Sequence, residues 1–177
     1  MNLEHPYIML REFINTFQTN LFLDEDFSAL QSCLCLLKML LCYHDPQVFK
    51  HLERNGVIPE MYSIPWFITC MASRMENADL VLEFWDRMLL PREPDITFLF
   101  FFCTAMITQS RQAILNSDLA DLPSIMTGLC VKNNTELRDL IRLSEEIEEN
   151  TPYSFKQLEE VKSLFRRQSA ESLKEIS

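Results

Sequence analysis

The scarcity of glycine constrains the fold of this chain more than any other feature of its sequence. Gly56 and Gly128 are the only two glycines among 177 residues. Glycine is needed wherever φ must be positive or the backbone must approach a phosphate group closely. Two isolated glycines cannot form a dinucleotide-binding G-x-G-x-x-G turn or a G-x-x-x-x-G-K-[ST] phosphate loop, and they cannot support a series of tight hairpins.

Helical periodicity runs through most of the chain, and no segment sustains the strict alternation of a half-buried strand. Asp45-Pro46 and Thr151-Pro152 are strong start signals, because a side chain that accepts backbone N–H groups precedes a proline suited to the first helical turn. Gly56 is expected to end the helix that Pro46 begins, in a left-handed C′ conformation. Further helices are predicted after Pro6, over about 27–43, from Asn77 to Leu89, over 96–107, 118–130 and 135–149, and after Pro152.

The segment from Ile96 to Ile107 is strongly apolar and contains four phenylalanines. A membrane-spanning helix needs about 20 apolar residues, and polar residues from Gln109 onwards end this run. We therefore predict the central buried helix of an all-α, irregular multi-helix bundle. A chain of this length buries roughly 70% of its unfolded surface, so one helical domain is expected over residues 1–168, followed by a polar tail over 169–177.

The charge of the chain limits its partners. The formal net charge is -10, which disfavours nucleic acids and anionic membrane surfaces because both are bound through Lys and Arg. The first residues have neither the basic nor the apolar region of a secretory signal. We therefore expect a cytoplasmic protein that binds no nucleic acid and does not insert into a membrane.

No residue pattern indicates a catalytic, cofactor or metal site. His5, His44 and His51 are not spaced to share a helix face at i,i+4, as a helical metal pair requires. No nucleophile–base pair is apparent. The six cysteines form no C-x-x-C and lie in apolar helical runs, where free cysteine behaves as a small hydrophobe. Buried, reduced, structural cysteines are therefore expected in preference to disulfides or metal ligands.

Four separated groups of residues follow one another in order between His44 and Asp86. They are His44-Asp45-Pro46, His51-Leu52-Glu53, the segment 56–67 and Phe84-Trp85-Asp86. Their order and spacing resemble the second half of a TBC domain, the all-helical module that accelerates GTP hydrolysis by Rab-type small GTPases. Segment 56–67 is most similar to the TBC branch that carries a kinase-like domain. The residues that carry the resemblance are Asp45, Pro46, His51, Leu52, Gly56, Pro59, Tyr62, Trp66, Phe67, Trp85 and Asp86.

The resemblance implies a fold and a partner but not the catalytic residues. TBC domains have two helical lobes around a groove for the GTPase, and residues 13–165 resemble the C-terminal lobe. The family's catalytic Arg and Gln come from I-x-x-D-x-x-R and Y-x-Q motifs in the N-terminal lobe, where they stabilise the γ-phosphate charge and orient water. Neither motif occurs here. The single D-x-x-R, Asp139 to Arg142, has Glu136 in place of the isoleucine, and we interpret it as a surface pair at i,i+3.

Structural roles are expected for most of these residues. Asp45 is predicted to cap a helix, and Asp86 to satisfy a buried arginine or a helix end. Tyr62 and Trp66, spaced i,i+4, are predicted to form a core contact, with lining of the GTPase groove as the alternative. The glutamates at 145, 146, 148 and 149 are predicted to form a solvated face.

Three functions stay open at this point. In the first, the chain is part of a Rab GTPase-activating module in membrane traffic, recruited to endomembranes and not catalytic alone because the Arg and Gln are missing. In the second, it is a non-catalytic TBC-like scaffold or adaptor that binds a GTPase or a complex subunit. In the third, it is an unrelated helical interaction domain. In the first case the missing N-terminal lobe would itself be a partner, and the early helices would leave a large apolar face uncovered.

Overall fold

The computed structural model describes residues 27–89 and 97–156. Within these ranges the chain is all-α, which confirms the predicted fold class. Two short 3₁₀ turns, Pro59–Met61 and Ala72–Arg74, accompany the α-helices. The predicted helix after Pro6 and the predicted tail over 169–177 lie outside the described residues. The α-helices are α1 (Ser28–His44), α2 (Pro46–Arg54), α3 (Ile64–Ile68), α4 (Ala78–Leu89), α5 (Thr97–Gln109), α6 (Arg111–Leu115), α7 (Leu122–Gly128), α8 (Asn134–Glu149) and α9 (Tyr153–Lys156).

Helix α5 lies at the centre of the bundle, as its apolar sequence predicted. Every residue from Phe98 to Ile107 is buried, and the helix packs against α1 and α8. The ring centroid of Phe100 lies 5.3 Å from that of Phe67 in α3, and that of Phe102 lies 4.4 Å from that of Phe84 in α4. Burying one phenylalanine contributes about 1.5–3 kcal/mol, so the four buried phenylalanines of α5 contribute substantially to core stability. Across the described ranges, no helix is long and apolar enough to cross a membrane.

The junction between α1 and α2 follows the local sequence signals. Asp45 occupies the N-cap of α2, where its Oδ1 accepts the Val48 N–H at 3.1 Å. Pro46 is the first residue of the helix. Gly56 follows the end of α2 with a φ of 69°, which is the left-handed conformation expected for a residue at C′. Both the predicted start and the predicted end of α2 are confirmed.

Helices α4 and α8 are joined by two arginine–glutamate pairs. Arg87 Nη2 of α4 lies 3.0 Å from Glu145 Oε1 of α8. The guanidinium carbon of Arg87 lies 4.3 Å from the centroid of the Phe98 ring. Arg138 Nε of α8 lies 3.2 Å from Glu83 Oε1 of α4. The predicted solvated acidic face of α8 is therefore partly used in packing, since Glu145 is one of its four glutamates.

Thr151 connects the end of α8 to the end of α1. Its hydroxyl donates to the Ile147 carbonyl at 2.7 Å and lies 2.8 Å from His44 Nε2. Because the single hydroxyl proton goes to Ile147, the imidazole must be the donor in the second bond. The sequence predicted Thr151 as a cap for the last helix, whereas its hydroxyl binds the preceding one. Helix α9 nevertheless begins directly after Pro152.

Candidate functional site

Asp45 and Arg111 connect the start of α2 to the start of α6. Asp45 Oδ2 lies 3.0 Å from Arg111 Nε, and Asp45 is buried. Arg111 also donates to the Gln47 side chain. The predicted capping role of Asp45 is confirmed, and the carboxylate also neutralises a guanidinium from a distant part of the chain.

Segment 58–68 forms a compact turn that carries three aromatic landmarks. The Ser63 hydroxyl donates to the Pro59 carbonyl at 2.8 Å. The Tyr62 and Trp66 rings lie 5.3 Å apart at 57°, and both are buried, as is Phe67. The predicted core contact between Tyr62 and Trp66 is therefore confirmed. The alternative that Tyr62 and Trp66 line the GTPase groove stays a prediction.

The chain between α3 and α4 contains an unfavourable backbone turn that Trp85 stabilises. Cys70 and Met71 have φ angles of 44° and 66°, which are uncommon for residues with a β-carbon. The Met71 N–H donates to the Trp66 carbonyl at 2.8 Å. Trp85 Nε1 donates to the Cys70 carbonyl at 2.9 Å. Trp85 is thus a structural residue that attaches α4 to this turn.

Asp86 does not have its predicted role. The residue is exposed, and it forms no ion pair with any other residue in the described ranges. The prediction that it satisfies a buried arginine is therefore wrong for this part of the chain. Phe84 and Met88 are buried on α4, and a residue midway between them faces solvent because of the helical period.

His51-Leu52-Glu53, the second of the four residue groups between His44 and Asp86, contributes to packing. Leu52 is buried in the core, while His51 is half-buried and its Nε2 has no hydrogen-bond partner among the residues that the structure describes. Within the described residues, no group of three or more His, Cys, Asp and Glu side chains is arranged to hold a metal ion.

The six cysteines carry free thiols in distinct environments. Cys33, Cys70 and Cys103 are buried. Burial raises the pKa of the Cys33 thiol to about 12 and that of the Cys103 thiol well above its usual value. Cys35 and Cys42 are exposed on α1, so the prediction of buried cysteines is wrong for these two. They lie seven residues apart on α1 and therefore share its solvent-exposed side. The apolar composition of the helix gave no indication that this side is exposed.

The only D-x-x-R motif of the sequence lies on the surface of α8. Arg142 pairs with Asp139, and both residues are exposed. This geometry confirms the interpretation of the motif as a surface pair at i,i+3.

A shallow pocket opens between α1, α2 and the 3₁₀ turn Pro59–Met61. Its volume is about 310 Å³, including the part open to solvent. Burial raises the pKa of Tyr62 above its usual value, so its hydroxyl remains protonated at neutral pH. The Lys38–Glu53 pair, with Nζ and Oε1 3.7 Å apart, borders the pocket. The apolar lining includes Leu41, Phe49, Ile58 and Tyr62.

Sequence comparison identifies the family. The sequence model of the Rab-GTPase-TBC domain matches residues 1–115, which is more than half of the chain and includes the whole run from His44 to Asp86. The chain belongs to the Rab-GTPase-TBC domain family. The third alternative, an unrelated helical domain, is thereby excluded.

Several TBC proteins resemble the chain over much of its length. The TBC domain-containing protein kinase-like protein of Mus musculus is 29% identical over 138 residues, which cover 74% of this chain and 15% of that protein. The protein of the same name from Dictyostelium discoideum is 30% identical over 134 residues, or 72% of this chain and 13% of that protein. TBC1 domain family member 5 homolog B, also from Dictyostelium discoideum, is 29% identical over 86 residues, which are 49% of this chain and 8% of that protein. The predicted similarity to the kinase-like TBC branch is confirmed, and the chain spans about 15% of the mouse relative.

This TBC chain exposes one apolar row along α1. The row consists of Cys35, Met39, Cys42 and Tyr43, with Met39 46% and Tyr43 59% exposed. The opposite side of α1 packs in the core through leucines such as Leu37 and Leu40. The expectation that the early helices leave a large apolar face uncovered stays a prediction, and this row is compatible with it.

Two arginines form ion pairs in this fold that could not be predicted from the sequence. Arg111 pairs with Asp45, and Arg87 with Glu145. Both pairs join residues far apart in the sequence, so no local spacing could reveal them. A buried carboxylate needs a partner, and that requirement is the only signal that could have indicated a cation for Asp45.

Proposed function

We propose that this TBC chain is the C-terminal part of a Rab GTPase-activating module, that it contacts a Rab-type small GTPase, and that it does not activate the GTPase by itself. The single observation that carries the proposal is the absence of both finger motifs from the 177-residue sequence, in a chain that otherwise has the TBC landmarks. We further propose that the module acts in the cytoplasm and is recruited to endomembranes.

The physical argument concerns the charge that develops during GTP hydrolysis. Transfer of the γ-phosphoryl group places negative charge on its oxygens, and an arginine supplied in trans accelerates hydrolysis by about 10³–10⁵-fold. Such an arginine must reach the nucleotide from a fixed position. Arg142 is held instead by Asp139 on the outer side of α8.

The landmark residues support a scaffolding role in this module. Asp45 caps α2, Trp85 binds a backbone carbonyl, and Trp66 is buried. Each of these side chains has a structural role in the fold. They shape the lobe on which a GTPase would rest, and they leave the chemistry to groups outside this chain.

Binding and hydrolysis measured separately test the proposal. The purified chain is immobilised and exposed to a panel of Rab proteins loaded with GDP or with a non-hydrolysable GTP analogue. Single-turnover GTP hydrolysis is then measured for each Rab that binds. We expect at least one GTP-selective partner and no increase in its hydrolysis rate.

Two variants make the hydrolysis result decisive. Arg142→Ala removes the only arginine in a D-x-x-R context, and Arg138→Ala removes another exposed arginine of α8 as a matched control. Acceleration by the unmodified chain that Arg142→Ala abolishes and Arg138→Ala retains would overturn the proposed lack of catalysis. Failure to bind any Rab would overturn the proposed partner.

A further inference from the structure

We infer that residues 62–71, the α3 segment, open as a unit while the rest of the described bundle stays folded, and that Trp85 is the latch of this opening. The inference goes beyond the proposed function, since binding of a GTPase to the exposed surface needs no such opening. It rests on three features of one short stretch of chain. They are two adjacent left-handed residues, a buried indole that lacks a hydrogen-bond partner among the described residues, and a side-chain hydrogen bond from a neighbouring helix.

The end of the α3 segment has a backbone conformation that its residues do not favour. Cys70 and Met71, the left-handed pair, have φ angles of 44° and 66°, and this conformation is unfavourable for any residue with a β-carbon. Both side chains are buried, so the packing of the closed state maintains the conformation against the local preference. Rotation of the pair to negative φ would release this strain and move the chain that precedes it. The backbone of the turn therefore favours opening.

The indole of Trp66 is the second unfavourable feature of the α3 segment. Its Nε1 is buried and has no hydrogen-bond partner within the described ranges, and the residue as a whole has no exposed surface. A buried N–H group without an acceptor has lost the hydrogen bond that water provides in an open or unfolded state. Opening restores that bond, so this group also favours the open state.

Hydrogen bonds from neighbouring elements hold the segment closed and define where it can bend. Trp85 Nε1 of α4 donates to the Cys70 carbonyl at 2.9 Å, within the left-handed pair. Just beyond the segment, the Val131 N–H donates to the Arg74 carbonyl at 2.7 Å, and the Glu76 N–H donates to the Val131 carbonyl at 3.0 Å. Residues 74–76 are thus fixed to the chain that precedes α8, which leaves the left-handed pair as the position of a hinge.

Opening would expose two aromatic rings that the closed state buries. The ring centroids of Tyr62 and Trp66 lie 5.3 Å apart. The Trp66 N–H donates to the Ser63 carbonyl at 3.0 Å, so α3 and the residues just before it move together. A partner that contacts Trp66 can bind only the open state, and it shifts the equilibrium by its preference for that state. The latch therefore regulates access to these rings.

Native-state hydrogen exchange of the full chain tests the inference, and its result does not depend on whether a GTPase binds. NMR follows the indole N–H of Trp66 together with the backbone amides of α5. The chain has two tryptophans, so Trp85→Phe assigns the remaining indole signal. We expect the Trp66 indole to exchange at least about 100-fold faster than the most protected α5 amides, because local opening requires less free energy than global unfolding. Equal protection of the two would overturn the inference.

Two matched variants distinguish the latch from general stability. Trp85→Phe retains an aromatic ring and loses the hydrogen bond to Cys70, so exchange of the Trp66 indole should accelerate about tenfold. Ile147→Val, a small truncation on the buried side of α8, should accelerate the α5 amides about threefold. It should leave the Trp66 indole unchanged, because α8 stays folded when the segment opens. An indole rate that Trp85→Phe does not alter, or that follows the α5 amides in Ile147→Val, would contradict a latched local opening.

Substitutions at Cys70 test whether the left-handed turn favours opening. Cys70→Ala and Cys70→Gly both remove the thiol, but only glycine adopts a φ of 44° without steric cost. The closed state is therefore more stable with glycine, and the Trp66 indole should exchange about fivefold more slowly than in Cys70→Ala. Identical rates, or faster exchange in the glycine variant, would show that the backbone of the turn does not favour opening and would overturn its role as the hinge.

Discussion

Asp45 shows how much one buried carboxylate can determine. Its Oδ1 accepts the Val48 N–H at the start of α2, and its Oδ2 binds Arg111 at the start of α6. The first role follows from the neighbouring Pro46 and could be predicted from the sequence. The second could not, because the bundle brings together residues that no local pattern relates. The conformation of Gly56 could also be predicted from the sequence, since its left-handed φ follows from its position after the end of a helix.

Substitutions at Asp45 should separate its two roles. Asp45→Asn retains an oxygen for the Val48 N–H and loses the charge that binds Arg111, whereas Asp45→Ala loses both. We expect the free energy of unfolding to fall by about 1 kcal/mol for Asn and about 2 kcal/mol for Ala, since a cap contributes about 1 kcal/mol and a charged hydrogen bond about 1.5–3 kcal/mol before the exposure of the partner is considered. Urea unfolding measures both values.

The same substitutions in an Arg111→Ala background provide the control for Asp45. There the Asn variant should cost almost nothing, because no guanidinium remains to be neutralised. Equal losses for Asn in the two backgrounds would show that the ion pair does not stabilise the fold.

Helix α1 illustrates where composition and geometry diverge. Its sequence is apolar nearly all round, a pattern typical of helices that are buried on most sides. The structure instead exposes Cys35 and Cys42, because α2 and α5 cover one side of the helix and no described element covers the other. Helix α5 was predicted correctly, since neighbours enclose it from several directions. Composition alone cannot distinguish these cases, because burial depends on how many elements surround a helix.

The ends of α1 and α8 are connected by His44. Its Nε2 donates to Thr151, whose hydroxyl binds the end of α8. Burial lowers the pKa of His44 below its usual value, because the partly buried imidazole loses hydration that would stabilise its charged form. The folded protein therefore favours neutral His44.

This shift predicts a loss of stability in mild acid. Since the pKa of His44 is lower in the folded state, the unfolded chain binds the proton first. The His44 contribution is complete above the unfolded pKa of about 6.5, and it diminishes as the pH falls from there towards the folded value. We expect the urea midpoint to decrease over this window and His44→Gln to flatten the decrease. An unchanged slope in His44→Gln would assign the pH dependence to other groups.

Across the whole molecule, the sequence predicted the fold and the family more completely than the surface. Asp45-Pro46, Gly56 and the phenylalanines of α5 act locally or through hydrophobicity, so their roles could be inferred one segment at a time. The position of Asp86 and the pairs made by Arg87 and Arg138 depend on how α4 and α8 face each other. The shallow pocket between α1, α2 and the turn Pro59–Met61 was missed for the same reason, since three separate segments form it, although Leu52, Pro59 and Tyr62 in its lining carry the TBC resemblance.

The exposed row of α1 leads to a prediction about longer forms of the protein. A chain that also carries an N-terminal TBC half should cover Met39 and its neighbours, because an apolar row of this kind is stabilised by burial. Cys35 and Cys42 lie within the row and report on its accessibility. In the present chain both thiols should react readily with iodoacetamide, while Cys33 and Cys103 should react only after unfolding because they are buried and their pKa values are raised.

Mass spectrometry of alkylated peptides measures each thiol separately in both forms. We expect Cys35 and Cys42 to become protected by more than about tenfold in the longer form, since a covered thiol reacts only when the interface opens. Cys130, half-buried after α7, provides an internal control whose rate should be the same in both. Retained reactivity at Cys35 and Cys42 would show that α1 is not the surface on which an N-terminal lobe packs.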